Sequence, residues 1–451
     1  MTSCFIDDNV RPRRARAVAF IGAAVLALLA AGCETSRESL TKSRMRKVDK
    51  GLLRAIYIKG QRPEKLALDG RMQFYRVPGA ALAVMDGNAL EWTAGYGVRD
   101  AHSREPVTAD TMFQAGDLAR TLASAETLQL VDKGRLDLAG DMGPRLRQAD
   151  AFPADAEGKN SLTLRDILTR TDAFPLLVPL LERETSASLP VLMNEAVFGP
   201  LGMRNSTFTR PLPEAMRINA ASGHGRDGRP LEGKWVDAAP PAPGGLWASP
   251  SDLLAFTSDL LRTAGGGQGK ILSAAQARAM LTPQIENRGF GFEIDGADKD
   301  VRIHLRGRTS GFTCSVDVYP YKGQGAVIMT NSDNGFLLTD EILRSLSAVY
   351  EWPDFKPKER PLYRLDPSIY RQYVGRYEIS PDYVLDVSYE DYYLIIRPTG
   401  QAPTKFYVES QTFFFSIDPY VRIQFLSDRK GDITGLLLWQ EDFKQEAKKV
   451  G

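Results

Sequence analysis

The chain has 451 residues, enough for two or three domains with cores of their own. Its 57 basic and 56 acidic residues nearly cancel, so no global field draws it to nucleic acid or to an anionic membrane surface. An apolar fraction of 43% and a charged fraction of 25% are those of a folded globular protein and exclude disorder over long spans.

Residues 1–33 read as a targeting segment rather than as part of the fold. Arg11, Arg13, Arg14 and Arg16 lead into an apolar run from Ala17 to Ala31 that is short for a bilayer span. The run ends in Leu29-Ala30-Ala31-Gly32-Cys33, which resembles a bacterial lipobox. The resemblance implies a periplasm-facing lipoprotein anchored to the membrane by lipid on Cys33. Glu34, in place of the aspartate that retains lipoproteins at the inner membrane, points to the outer membrane. With Cys4 removed and Cys33 lipidated, Cys314 stands alone, which excludes an internal disulfide. Cys314 is expected as a buried strand residue. His102, His224 and His304 have no ligand spacing, so neither a metal nor another cofactor is expected.

Residues 34–47 are polar and read as a flexible tether, followed by a helix around Val48 to Ile58. The apolar run from Val77 to Val84, the turn Asp86-Gly87-Asn88 and the segment Leu90 to Gly97 predict a β-hairpin. A helix is expected from Asp117, with helical segments through Met203. Ser249 ahead of Pro250 predicts another helix start, closed by the glycine cluster at Gly265. Strands are expected between Gly289 and Asn331, then a helix from Leu337 to Tyr350. The proline-rich, charged residues 351–366 read as a linker. From 367 to 451, short alternating strands such as Tyr373 to Glu378, Leu394 to Arg397 and Ile423 to Phe425 predict a small all-β barrel. Its aromatic residues are expected to fill the interior.

The frame around Asp117 carries the most information. Phe113-Gln114-Ala115-Gly116-Asp117-Leu118-Ala119-Arg120 resembles the entry into the catalytic helix of the serine β-lactamase and penicillin-binding-protein family. There Ser-x-x-Lys supplies an acyl nucleophile and an amine one turn on. Here Asp117 holds the serine position and Arg120 the lysine position. Arginine does not give up its proton, so it is a poor general base, and a carboxylate attacking an amide would have to form a mixed anhydride. A charge-assisted pair between the two across the helix turn is expected instead.

Two further landmarks extend the resemblance. Leu164-Arg165-Asp166-Ile167-Leu168-Thr169-Arg170-Thr171-Asp172-Ala173-Phe174-Pro175 is similar to the family's Leu-Leu-Thr-His-Thr-Ser-Gly-Leu-Pro, and Pro200-Leu201-Gly202-Met203 is kept. The span between them is short, with no Ser-x-Asn, and no tyrosine occurs from Gly97 to Val318. The Tyr-x-Asn motif is therefore missing. Leu305-Arg306-Gly307-Arg308-Thr309-Ser310-Gly311-Phe312 resembles His-x-Gly-Gly-Thr-Pro-Gly-Phe, so Leu305 takes the histidine position and Gly307 survives. His304, one residue away, should face the other side of its strand. The resemblance implies that the Arg308 amide and the nucleophile's own amide form the oxyanion donors. Ser39-Leu40-Thr41-Lys42 and Ser332-Asp333-Asn334 mimic family motifs in the wrong chain order and are expected to be accidental. Ser124, seven residues past Asp117, is expected in the core.

The resemblance implies a three-layer α/β domain with a helical insertion over residues 48–350, followed by a lipocalin-like barrel over 367–451. Function is expected to be that of a silent relative acting by binding. Arg120, Arg306 and Arg308 are candidates for holding an anionic group, for instance a peptidoglycan peptide carboxylate, and no nucleic-acid partner is expected. The rival readings are an active serine hydrolase with an unorthodox nucleophile (Ser310, Ser315 or Cys314) and an envelope protein that works through its barrel.

Overall fold

The computed structural model describes residues 37–149, 161–170, 174–237, 245–440 and 443–450. The signal-like segment with Cys4 and Cys33 lies outside them.

A hairpin of β1 (Gly79–Asp86) and β2 (Ala89–Gly97) opens the main sheet. Gly87 and Asn88 both have positive φ, the requirement of a tight two-residue hairpin turn, and the Asp-Gly-Asn sequence satisfies it. Four later strands complete the sheet: β3 (Glu293–Asp295), β4 (Arg302–Thr309), β5 (Phe312–Tyr319) and β6 (Gln324–Thr330). The order is β2-β1-β6-β5-β4-β3, antiparallel throughout. All of β5 is buried, because both faces of the sheet are covered.

One face packs on α3 (Leu118–Asp132) and α4 (Pro250–Ala264), the other on α5 (Gly335–Tyr350) and two N-terminal helices, α1 (37–49) and α2 (Leu68–Tyr75). Period-two alternation sends Cys314, Val316 and Val318 to the first core, and Tyr319, Ala326 and Ile328 to the second. Ser249 caps α4 by accepting from the Asp252 amide at 3.3 Å, with Pro250 at the first helical position. The result is the expected three-layer α/β plan with a helical insertion.

Two boundaries differ from the sequence reading. The supposed tether begins α1, whose Arg44 bonds Asp86 at 2.7 Å and Glu91 at 2.9 Å while Val48 enters the second core. The helix expected from Val48 to Ile58 is not formed: α1 ends at residue 49, the chain from 50 to 55 is non-helical, and Ile56–Ile58 is a strand that pairs in parallel with Lys358–Arg360. The linker is therefore structured where it crosses the body. These pairings join residues far apart in sequence, which local composition does not encode.

Strands β7 (Gly375–Ser380), β8 (Tyr383–Glu390), β9 (Tyr393–Pro398), β10 (Thr404–Val408), β11 (Phe413–Ile417), β12 (Tyr420–Ser427), β13 (Ile433–Gln440) and β14 (Phe443–Lys449) close into an eight-stranded barrel. Phe406, Phe414, Phe425 and Tyr377 fill its inside together with Tyr370 and Tyr373 from the preceding turn. The buried tyrosine hydroxyls are satisfied: Tyr377 donates to the Tyr373 carbonyl at 2.8 Å and Tyr370 to that of Tyr392 at 2.8 Å.

Body and barrel meet on Arg71 of α2. Its guanidinium bonds both oxygens of Glu341 on α5, each at 2.7 Å, and both oxygens of Asp418 in the barrel at 2.6 and 2.8 Å. The Tyr75 hydroxyl and Arg54 complete this buried cluster.

Candidate functional site

The segment ahead of α3 is pinned on both sides. Phe113–Gln114 pairs with Trp247–Ala248, and the Gln114 Oε1 accepts from Thr309 Oγ1 at 3.0 Å. Gly116 then takes φ +57°, and Asp117 stands at the N-cap of α3. A Cβ on Gly116 would lie 2.5 Å from the Arg308 nitrogen. One on Gly307 would lie 2.3 Å from the Ala115 carbonyl oxygen and 2.9 Å from the Asp117 nitrogen. Two glycines thus allow β4 and the start of α3 to meet backbone to backbone.

This contact brings the backbones of Asp117 and Arg308 together, and both amides act on the Asp117 carboxyl electrostatically, without a side-chain hydrogen bond capping α3. Burial, the largest influence, pushes that carboxyl above the usual carboxylate range, while the Arg120 charge and the two amides pull it back. Paired amides of this kind can hold a developing oxyanion, and here the carboxyl of Asp117 stands beside them at the start of α3. Among the described residues Arg120 meets Asp117 through its charge alone. Its Nη1 donates to the Arg170 carbonyl at 3.1 Å, in place of the expected hydrogen-bonded pair with Asp117. Arg120 is 6% exposed and sits where a neutralisable amine would have to be.

Leu305, at the histidine position, is packed into the first core beside α3. Between Pro175 and Pro200 the chain runs almost continuously as helix, through Phe174–Thr185, Leu189–Met193 and Asn194–Phe198, so no loop is left for a second motif. Thr171, Asp172 and Ala173 lie outside the described residues. Ser124 is buried, as expected, beside Gly291.

The arginine trio does not converge. Arg306 and Arg308 alternate with Leu305 and Gly307, so their side chains leave on the α5 face and lie over the Phe336 ring, each 5.1 Å from its centre. Arg306 also pairs with Asp340. Arg120 belongs to the opposite face of the sheet. Sequence reasoning missed Phe336 and Asp340, which lie on α5 and carry no motif.

Two of the three alternative nucleophiles, Cys314 and Ser315, are buried. Cys314 is fully buried, and burial followed by the Asp317 charge raises its thiol pKa strongly. Ser315 is 1% exposed and donates to Asp317 at 2.6 Å. Ser310 is exposed in the β4–β5 turn. His224 cannot serve as a base for any of them: Nε2 accepts from the Ala101 amide at 3.1 Å and Nδ1 faces the Asn331 carbonyl at 2.9 Å. The motif mimics have structural roles, Lys42 pairing with Glu38 in α1 and Asn334 bonding the Tyr75 and Arg226 carbonyls.

Known proteins share this frame. The family model described as Beta-lactamase matches residues 66–177 and 171–348. "Penicillin-binding protein 4" of Amycolatopsis lactamdurans is 37% identical over 102 residues, 22% of this chain and only about a quarter of that protein's length. Among solved structures, the octameric penicillin-binding protein homologue from Pyrococcus abyssi superposes with a TM-score of 0.57 at 16% identity, covering 84% of this chain and 98% of that one. D-alanine carboxypeptidase AmpC from Burkholderia cenocepacia gives 0.53 at 18% identity, over 62% of this chain and 96% of its own. These likenesses concern the fold, and the family model covers most of the body that carries Asp117. The chain belongs to the Beta-lactamase family.

Proposed function

We propose that this protein is a catalytically silent member of its family, a lipoprotein anchored through Cys33 on the periplasmic side of the outer membrane, that works by binding an envelope component. One observation carries the silence: a half-buried carboxyl, Asp117, stands at the nucleophile position at the start of α3, in place of an alcohol. Its neighbour Arg120 stays protonated and cannot draw a proton from an attacking group. Loss of the nucleophile alone costs about six orders of magnitude in a comparable hydrolase. Replacement of the amine, the buried leucine at position 305 and the missing second motif act in the same direction.

Fluorescent penicillin and a fluorophosphonate, applied to the full chain, test the reading. No covalent adduct is expected on the wild type. The Asp117→Ser, Arg120→Lys double variant restores an alcohol beside a neutralisable amine, so slow labelling by the fluorophosphonate is expected. An adduct on any side chain of the wild-type protein overturns the proposal.

A further inference from the structure

A second cleft lies away from Asp117, between the end of α1, α2 and the segment after β2. It encloses about 960 Å³, within the size range of small-molecule sites, and Asp117, Arg120, Gly307 and Arg308 take no part in it. Lys50, Lys65, Arg76 and Arg104 line it. None of the four makes an ion pair or a side-chain hydrogen bond among the described residues. The acids around them are engaged: Asp49 accepts from the Tyr96 hydroxyl at 2.6 Å, Asp69 from the Gly70 amide at 2.8 Å, and Asp227 from the Arg229 amide at 3.0 Å. These bonds leave the carboxylate charges in place, so the four cations and three acids of the lining sum to one net positive charge.

Two of the cations sit on unusual backbone. Arg76 closes α2 at φ +56°, the left-handed position that glycine or asparagine normally takes, and Arg104 has φ +58°. Holding a long side chain there costs energy, and such positions gather at functional sites. Gly228 leaves room beside Arg76, where an added Cβ would come 3.2 Å from the Arg76 Cβ. Behind the cations the lining is apolar, with Leu68 and Met72 from α2 and Val77, Pro78 and Val98 from the chain around β1 and β2. A concave, low-dielectric wall under a cationic rim concentrates anions and rewards an attached hydrocarbon.

We infer that this cleft binds an amphiphilic anion, a phosphate or carboxylate joined to an apolar body, with Arg76 and Arg104 on the anionic group and the α2 side on the apolar part. The chemistry is shared by a soluble acyl or alkyl phosphate and by an anionic lipid. The inference stands whether or not the Asp117 site is silent.

Titration calorimetry on the full chain tests it with n-octyl phosphate below its micellar concentration, n-octylammonium, and phosphatidylcholine vesicles with and without phosphatidylglycerol. Saturable one-site binding of octyl phosphate is expected and none of octylammonium. Arg76→Gln with Arg104→Gln should weaken it by about tenfold or more. Ala101→Phe, which fills the cleft and leaves its charge unchanged, should do the same while thermal unfolding stays intact, and it serves if the arginine variant does not fold. Added binding to phosphatidylglycerol vesicles, lost in the same variants, identifies the lipid source; binding of octyl phosphate alone identifies the soluble one. Equal binding of octylammonium, vesicle binding without octyl phosphate binding, or affinity unchanged in a folded variant each overturns the inference.

Discussion

The α-carbon of Gly116 lies against the backbone of Arg308, where a methyl group would stand 2.5 Å from the amide nitrogen and 2.9 Å from the carbonyl oxygen. This approach brings the Arg308 amide to the start of α3, and Gly307 meets Ala115 on the same line, so a side chain at either glycine would collide with main-chain atoms. Asp117 and Arg120 stand in this frame where the family resemblance would put a serine and a lysine.

Gly116→Ala should therefore be costly on two counts, left-handed backbone and collision with main-chain atoms that cannot swing away. About 2–4 kcal/mol of stability should be lost. Urea unfolding would show a lowered midpoint at an unchanged slope. An unaltered midpoint would mean that β4 moves freely away from α3.

Much of this arrangement is legible in the sequence because it is local. The hairpin turn at Gly87-Asn88, the Ser249 cap, the Gly116–Asp117 entry and the alternating strands of the barrel each depend on a few adjacent residues. The pairing of Ile56–Ile58 with Lys358–Arg360 depends on residues about three hundred positions apart, and α1 is held by contacts to β1 and β2. Neither leaves a local mark. Arg306 and Arg308 were legible in principle: the period of two that turns His304 away from the site turns them away as well. Their proximity to Gly307 in sequence is cancelled by the pleat.

Glu126, on α3 nine positions beyond Asp117, offers a pH-dependent reading of the same helix. It is 1% exposed, and its Oε2 has no hydrogen-bond partner among the described residues. Burial raises its carboxyl to about 7 from 4.5, against the opposing charges of Lys133 and Arg135. An acid whose pKa is raised by folding favours the folded state most when protonated. Its contribution is thus complete below pH 4.5, declines as pH rises from 4.5 to about 7, and is flat above. Glu126→Gln should remove the decline and be more stable than wild type by up to about 3 kcal/mol at pH 8, with little difference at pH 4. Urea midpoints across that range check it, and parallel wild-type and variant curves would refute a buried, titrating Glu126.

The Arg71 cluster predicts how barrel and body separate. Arg71 has 7% of its side chain exposed and Glu341 3%, while Asp418 enters from the barrel with 19% exposed. Glu341 is raised by burial and held down chiefly by Arg71, so removing the arginine strands two carboxylates next to each other. Arg71→Met should cost about 3–5 kcal/mol, as for other broken buried pairs. Asp418→Ala should cost less, since Arg71 keeps Glu341 and only the grip on the barrel is lost. Its readout is local: faster proteolysis within residues 353–366 and a barrel transition that precedes that of the body. The double variant Arg71→Met, Asp418→Ala should lose less than the sum of its parts, with coupling of about 1 kcal/mol or more. Such coupling should persist at high salt, because buried pairs are screened far less than surface ones. Strict additivity, or coupling erased by salt, would make this contact an ordinary surface pair and leave the linker strand Lys358–Arg360 to hold the barrel in place.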